Sequence, residues 1–587
     1  MDRGLYHRTN KNPARGHSGR LSVVAAMTFL FVIGPAFGQA ILEGERFHPV
    51  TAKQGMVATS HTLATEVALE VLKNGGNAVD AAVTAGFALA VTQPRSGNIG
   101  GGGFMLISKG DGSEPEAIDY REKAPAAATE TMFQDESGNV VRDRSRFTHL
   151  AAGVPGTVAG LALALERHGT ISLKQALAPA ITLAREGFIV PLRFTEGLEQ
   201  ARDRLERWPA TRTTFYKEDG RAWQPGERFR QPELADTLQR IADNSVKGFY
   251  EGKTATLITE EMARHGGLIT REDLINYRPA IRSPVHGTYR GYDIYSMSPP
   301  SSGGTHIVQI LNILEGFPMA QFGHNSADAI HHMAEAMKLA YADRSKYLGD
   351  TDFVDVPLTG LTSKGYAEEL RKSIDPDKAR PADDINPGQP AAWESPETTH
   401  FSVVDKWGNA VSNTYTINFS YGSGITVKGA GFLLNNEMDD FSTKPGVPNA
   451  YGLIGGEANK VEPGKRMLSS MSPTIVRKDG QNVLVTGSPG GSRIITTTLQ
   501  VILNVIDHGM NIQTAVSAPR MHHQWLPDEI RVEQGISPDS IHLLEERGHT
   551  IVHGSAMGAI QSIMVSEDGV LHGGADPRRS TSSAMGY

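Results

Sequence analysis

A layered α+β fold is predicted for this 587-residue chain on three observations. Helical periodicity dominates the residues before about 390. From Thr398 onward the apolar period switches to two. Within that second part, Gly491–Asp507 and Asn511–Ala518 read as helices set between strand pairs. Hairpins that face one another with helices outside them make a layered α+β arrangement.

Taken in order, Asn77 opens the first well-marked helix. Asn77-Ala78-Val79-Asp80 has the form of a capping box, small and apolar residues continue to Val91, and Pro94 closes the run. Ser326–Tyr347 carries Ile330, Met333, Met337 and Tyr341 at helical spacing, which predicts an amphipathic helix. Pro-Gly-rich stretches at Arg95–Gly103 and Pro299–Gly304 are expected to interrupt this half. Three hairpins follow. Val403–Asp405 and Ala410–Ser412 flank Lys406-Trp407-Gly408-Asn409; Ile475–Arg477 and Val483–Val485 flank Asp479-Gly480; Ser562–Val565 and Val570–His572 flank Asp568-Gly569. Asp-Gly and Gly-Asn between alternating strands are hairpin signals.

Composition narrows the class. Hydrophobic content of 39% with 63 glycines and 32 prolines fits a loop-rich globular enzyme. The net charge of −8 and the lack of a basic stripe interleaved with aromatics give no case for nucleic acid. At the N-terminus, Arg3, Arg8, Lys11, Arg15 and Arg20 precede the apolar run Leu21–Ile33, and small residues follow at Ala36, Gly38 and Ala40. That order predicts a signal peptide over residues 1–40, cut after Gly38 or Ala40, rather than a stable membrane anchor. A periplasmic or secreted location is expected. There is no cysteine, so neither disulfides nor thiol ligands are available.

Thr398-Thr399-His400-Phe401-Ser402 stands between a Pro-rich stretch, residues 387–397, and an abrupt strand start. A threonine hydroxyl needs an adjacent base to act as a nucleophile. A cut between Glu397 and Thr398 would supply one, since a free α-amine with a pKa of roughly 7.7–8.0 accepts a proton near neutrality. By itself, Thr-Thr at this place also fits an ordinary strand start after a loop.

The strings Thr398–Asp405, Asn435-Asn436-Glu437-Met438-Asp439-Asp440-Phe441, Leu468-Ser469-Ser470-Met471-Ser472-Pro473-Thr474 and Gly487-Ser488-Pro489-Gly490-Gly491-Ser492-Arg493 together resemble γ-glutamyltranspeptidase. The likeness runs in order from about Gly55 to the C-terminus and takes in Asp119-Tyr120-Arg121-Glu122. It implies the four-layer αββα sandwich of N-terminal-nucleophile hydrolases. It also implies a precursor that cuts itself before Thr398, giving a heterodimer of a large subunit, residues 41–397, and a small one, residues 398–587.

The resemblance assigns roles residue by residue. Thr398 is the nucleophile and Thr416 orients its hydroxyl; on residue type alone Thr416 is equally a strand threonine bonded locally. Gly490 and Gly491 form the oxyanion hole with their N–H groups, where the bare sequence reads as a tight turn into a helix. Arg121, Ser469 and Ser470 match carboxylate-binding positions, and Asn418, Glu437 and Asp440 match ammonium-binding ones, the two groups being expected to face each other across the donor. Alone, Arg121 fits a surface ion pair and Asp439-Asp440 a solvated acidic turn. Tyr451 matches a lid loop over the donor pocket.

These implications amount to a γ-glutamyltransferase and glutathione hydrolase. Its donors would be glutathione and other γ-glutamyl compounds, and its acceptors water, amino acids or peptides. No cofactor is implied. The alternatives are a β-lactam (glutaryl) acylase on the same fold and a non-catalytic periplasmic amino-acid-binding protein, though binding alone has no use for Thr398, Thr416 or Gly490-Gly491. Gly100–Gly103, His331-His332 with Glu335, and His522-His523 lack the surrounding pattern of a phosphate or metal site, and no metal is expected.

Overall fold

A computed structural model describes residues 48–390 and 400–587. The strands of its two large sheets are numbered here in chain order: β1 (Val50–Ala52), β2 (Gly55–Thr59), β3 (Gly102–Ser108), β4 (Glu116–Asp119), β5 (Ala280–Arg282), β6 (Val285–Tyr289), β7 (Tyr292–Ser296), β8 (His400–Asp405), β9 (Ala410–Thr416), β10 (Thr474–Lys478), β11 (Gln481–Thr486), β12 (Gln561–Val565), β13 (Leu571–Ala575) and β14 (Ser583–Gly586). One seven-stranded sheet has the order β1-β13-β12-β11-β10-β7-β6, and the other β14-β2-β8-β9-β3-β4-β5. Strands from before residue 391 and after residue 399 stand side by side in both sheets, so the two stretches share one core.

Period two sorts the side chains of these strands between two environments. In the second sheet, Val403, Val411, Met105 and Ile107 face the helices, packing with α1 (Thr62–Lys73) and α2 (Ala78–Thr92). Their neighbours Val404, Ala410, Phe104 and Leu106 face the other sheet. In the first sheet Ile475, Val485 and Ile563 meet them from across the interface. Val476 and Leu484 turn outward onto α4 (Gly303–Leu314), α5 (Ala327–Tyr347), α6 (Arg493–Ile506) and α7 (Ile512–Ser517). A further helix, α3 (Leu192–Leu205), lies in the mainly helical part between β4 and β5. The result is helix, sheet, sheet, helix: the predicted αββα sandwich.

Local signals hold closely. Asn77 accepts from the N–H groups of Val79 and Asp80, and Asp80 accepts from Asn77 N–H, completing the capping box of α2. The three predicted hairpins form as β8–β9, β10–β11 and β12–β13. Two expectations need correction. Helix α5 is buried at nearly every position from Ala327 to Arg344 rather than on one face, because α4 and elements of the C-terminal part cover it on several sides. The Pro-Gly stretches are shorter interruptions than predicted: Gly102 and Gly103 already belong to β3, and Gly303 and Gly304 open α4.

Asp405 joins the two stretches of chain at the β8–β9 turn. Its Oδ1 accepts from the N–H groups of Trp407 and Asn409, and its Oδ2 accepts from Ala78 N–H at 2.8 Å at the start of α2. Asp405→Ala removes a turn and a helix-start contact together. We expect it to lower the free energy of unfolding by about 3 kcal/mol, since each hydrogen bond to a charged group contributes roughly 1.5–3. Denaturant unfolding of the variant against the parent measures this.

Candidate functional site

The site gathers at the end of β8–β9 and the loops beside it. Thr398 lies outside the described residues. His400, the first described residue after it, pairs with Thr414 across the antiparallel register. The His400 ring is buried, with Nδ1 3.0 Å from Thr414 Oγ1 and Nε2 2.8 Å from Ser402 Oγ. Burial drives its pKa down to about 3, so it is neutral. A Cβ on Gly487 would lie 2.5 Å from this ring, so only glycine lets the loop after β11 pass over it.

Thr416 closes β9. Its Oγ1 accepts from Asn418 N–H at 2.7 Å, which holds Asn418 in a left-handed conformation, φ +69°, that asparagine tolerates. Asn418 Nδ2 donates to Asn436 O, and its Oδ1 accepts from Tyr451 O–H at 2.7 Å. The Tyr451 loop is thereby fastened over Asn418. Asp439 helps hold it: its Oδ2 accepts from Ala450 N–H, and its Oδ1 accepts from Ser145 Oγ and Arg146 Nε. Asp439 is therefore a tie rather than a solvated turn. Gln524, which no sequence pattern singled out, donates from Nε2 to Tyr451 O and accepts at Oε1 from Ser492 Oγ, linking the loop to the start of α6.

Just before that helix, Gly490 and Gly491 have φ of +142° and +64°. Both values fall where glycine is favoured. Among the described residues neither N–H donates a hydrogen bond, whereas their carbonyls accept from Arg493 and Ile494 N–H. Two unengaged N–H groups ahead of a helix N-terminus make a surface suited to negative charge.

Arg121 is fully buried, not at the surface. Its Nη1 lies 2.7 Å from Glu437 Oε2, its Nη2 lies 2.6 Å from Asp440 Oδ2, and Glu122 Oε2 is 3.6 Å from Nη1. Its Nε donates to Met467 O. The expected cation and anion groups thus do not face each other across a gap; they are in direct contact. Three buried carboxylates share one guanidinium. Burial raises all three carboxyl pKa values against the pull of Arg121: Asp440 to about 6, Glu122 to about 8, and Glu437 well above its ordinary value. Ser469 and Ser470 lie beside this cluster on the segment through Leu468, whose carbonyl also accepts from Arg121. Ser470 Oγ is buried without a hydrogen-bond partner among the described residues. Glu122 was visible in the Asp119–Glu122 string but had no role attached to it, because adjacency in sequence does not say which side chains turn inward.

The groups with metal-type donors are engaged otherwise. His331 Nδ1 is 2.8 Å from His549 Nε2, and Glu335 accepts from Lys338 Nζ at 2.8 Å. His149 and His265 both approach Glu261, with their rings stacked 18° from parallel.

Comparison with known proteins follows this geometry. A family model described as gamma-glutamyltranspeptidase matches residues 64–586. The glutathione hydrolase proenzyme of Escherichia coli K12 is 55% identical over 547 residues, 93% of this chain and 94% of that one. A cephalosporin acylase from Bacillus halodurans superposes with a TM-score of 0.83 at 31% identity, covering 94% of this chain and 98% of that chain. A Helicobacter pylori gamma-glutamyltranspeptidase chain does so at 0.56 and 47% identity, covering 60% and 97%.

The buried cluster sets a sign for pH dependence. Glu122 binds its proton more tightly folded than unfolded, so its ionisation opposes folding as pH rises from the ordinary carboxyl range through about 8. Stability should therefore fall across that window. Glu122→Gln should melt above the parent at pH 8, by a margin that shrinks towards pH 5. Thermal unfolding at the two pH values checks it.

Proposed function

Because the chain belongs to the γ-glutamyltranspeptidase family, we propose that Thr398, freed by a cut after Glu397, is its nucleophile and that the cluster around Arg121 receives the γ-glutamyl donor. The protein is a γ-glutamyltransferase and glutathione hydrolase made as a proenzyme, with large and small subunits. If the antiparallel register that pairs His400 with Thr414 were continued by two residues, Thr398 would stand opposite Thr416. In this reading the Thr416 hydroxyl steadies that of Thr398, whose α-amine takes the proton as oxygen attacks the γ-carbonyl. The N–H groups of Gly490 and Gly491 receive the oxyanion. The departing amine takes a proton, leaving a γ-glutamyl ester on Thr398. Water, or the amine of an amino acid or peptide acceptor, resolves it.

The observation that carries donor recognition is the excess of buried carboxylate over guanidinium. A zwitterionic α-amino acid brings one charge of each sign, so it adds no net charge to a buried site. Its ammonium would go to Glu437, Asp440 and Asn418, and its carboxylate to Arg121, Ser469 and the unpartnered Ser470 hydroxyl. Tyr451 would cover it. Residues 1–40 would direct export; they lie outside the described residues. No helix among the described residues is long and apolar enough to cross a membrane.

The likeness to a cephalosporin acylase keeps a glutaryl acylase as the second reading. A γ-glutamyl anilide and a glutaryl anilide separate the two, since the latter lacks the ammonium. Leaving buried carboxylates unpaired costs several kcal/mol, so kcat/KM should favour the γ-glutamyl compound by roughly 100-fold or more. Asp440→Asn should erase most of that preference by weakening the γ-glutamyl donor. Comparable parent values for both anilides would favour the acylase.

Thr398→Ala should run as a single uncut and inactive chain on a denaturing gel, where the parent gives a longer and a shorter one. If the variant still splits at the same bond, the Thr398 hydroxyl does not perform the cut.

A further inference from the structure

Away from the donor site, a cavity of ≈ 30 Å³ lies between the turn after α2, the start of α3, the turn following β9 and the segment joining β13 to β14. Its lining includes His61, Gln93, Arg95, Arg193, Tyr421 and Arg579, with no carboxylate. Three arginines from distant parts of the sequence converge there. None of them forms an ion pair among the described residues. The nearest carboxylate in sequence, Asp576, is taken by Arg520 at 2.6 Å and Arg578 at 3.1 Å. Arg95 Nη2 has only a neutral partner, Ser420 Oγ at 3.2 Å.

Two buried donors there lack acceptors. Arg579 Nη1 is shut off from solvent and makes no hydrogen bond. His61 Nδ1 accepts from Leu63 N–H at the start of α1, which leaves the ring proton on Nε2, and that atom is also buried without a partner. Gln93 Oε1, an acceptor without a donor, is the lining group of opposite kind. The first turn of α3 contains no acidic residue and no side-chain cap, so its N-terminus adds positive potential. Burial and the neighbouring Arg95 and Arg193 pull the Arg579 pKa down to about 9, against a smaller opposing pull from Asp576.

We propose that this cavity is a binding site for a small inorganic anion of the size of chloride, held by Arg95, Arg193, Arg579 and His61 Nε2–H. Water could fill the two empty donors but would leave three guanidiniums repelling one another; an anion answers both defects. The cavity has room for at least one water-sized species, which a monatomic anion such as chloride satisfies. The anion would sit behind the turn that carries Asn418, since Tyr421 N–H donates to Arg95 O at 2.8 Å.

The test uses the purified protein in sodium chloride, sodium bromide or sodium gluconate at one ionic strength. Chloride and bromide should raise the melting temperature saturably, by about 2 °C at a hundredfold excess over Kd, whereas gluconate should not. Arg579→Gln should lose this response and in gluconate melt no lower than the parent, because it removes an uncompensated charge. Arg193→Gln, at a half-buried helix start, should weaken the response and serves if Arg579→Gln does not fold. A crystal soaked in bromide should show an anomalous peak among the three guanidiniums. Equal responses to chloride in parent and variants, or no peak in the cavity, would overturn the site.

Discussion

The pairing of β8 between β2 and β9 is the constraint on which the rest of this molecule depends. A central strand has both edges taken by hydrogen bonds and both faces covered, one by α2 and one by the opposite sheet. Its register therefore cannot slip, since a shift of one residue would exchange Val403 and Val404 between two different cores. Everything attached to the ends of β8 and β9 inherits that fixity. At one end Asp405 binds the hairpin turn to the start of α2. At the other, Thr416 and Asn418 begin the loop that meets the buried charges.

The charge cluster shows the opposite principle, polar groups held in an interior that disfavours them. One guanidinium cannot neutralise Glu122, Glu437 and Asp440 together, and burial raises the carboxyl pKa values as a consequence. Such an arrangement is poor for stability and well suited to receiving a ligand that carries its own compensating charge. The Tyr451 loop is tied down on two sides. Its hydrogen bond to Asn418, and that from Gln524 to its carbonyl, tie it to the turn after β9 and to Ser492 at the start of α6. Asn418, the Tyr451 loop, Gln524 and the start of α6 thus form one connected set of contacts.

Much of the fold was legible because its signals are local. The Asn77–Asp80 box, the turns at Gly408-Asn409, Asp479-Gly480 and Asp568-Gly569, and the alternation along each strand depend on neighbours within a few residues. The burial of α5 was not legible as such. Its apolar positions suggested one buried face, while its His331, Glu335 and Lys338 are buried too, through partners more than forty residues away such as Asp375 O, Arg380 O and His549. The site divides in the same way. Residue types and motif order named Arg121, Asn418, Glu437, Asp440, Ser469 and Ser470, but not that Arg121 would lie directly between Glu437 and Asp440.

What the sequence determined by itself was the layered α+β class, the hairpins, the helix starts and the roster of chemically apt residues, because propensity, capping and period are properties of short segments. Tertiary structure alone decided the strand order, the contact of Arg121 with three carboxylates, the Gln524 link to the Tyr451 loop, and the meeting of Arg95, Arg193 and Arg579. Most of those arrangements join residues tens to hundreds of positions apart. Closing such distances is governed by which faces the two sheets bury, and no short stretch of chain contains that information.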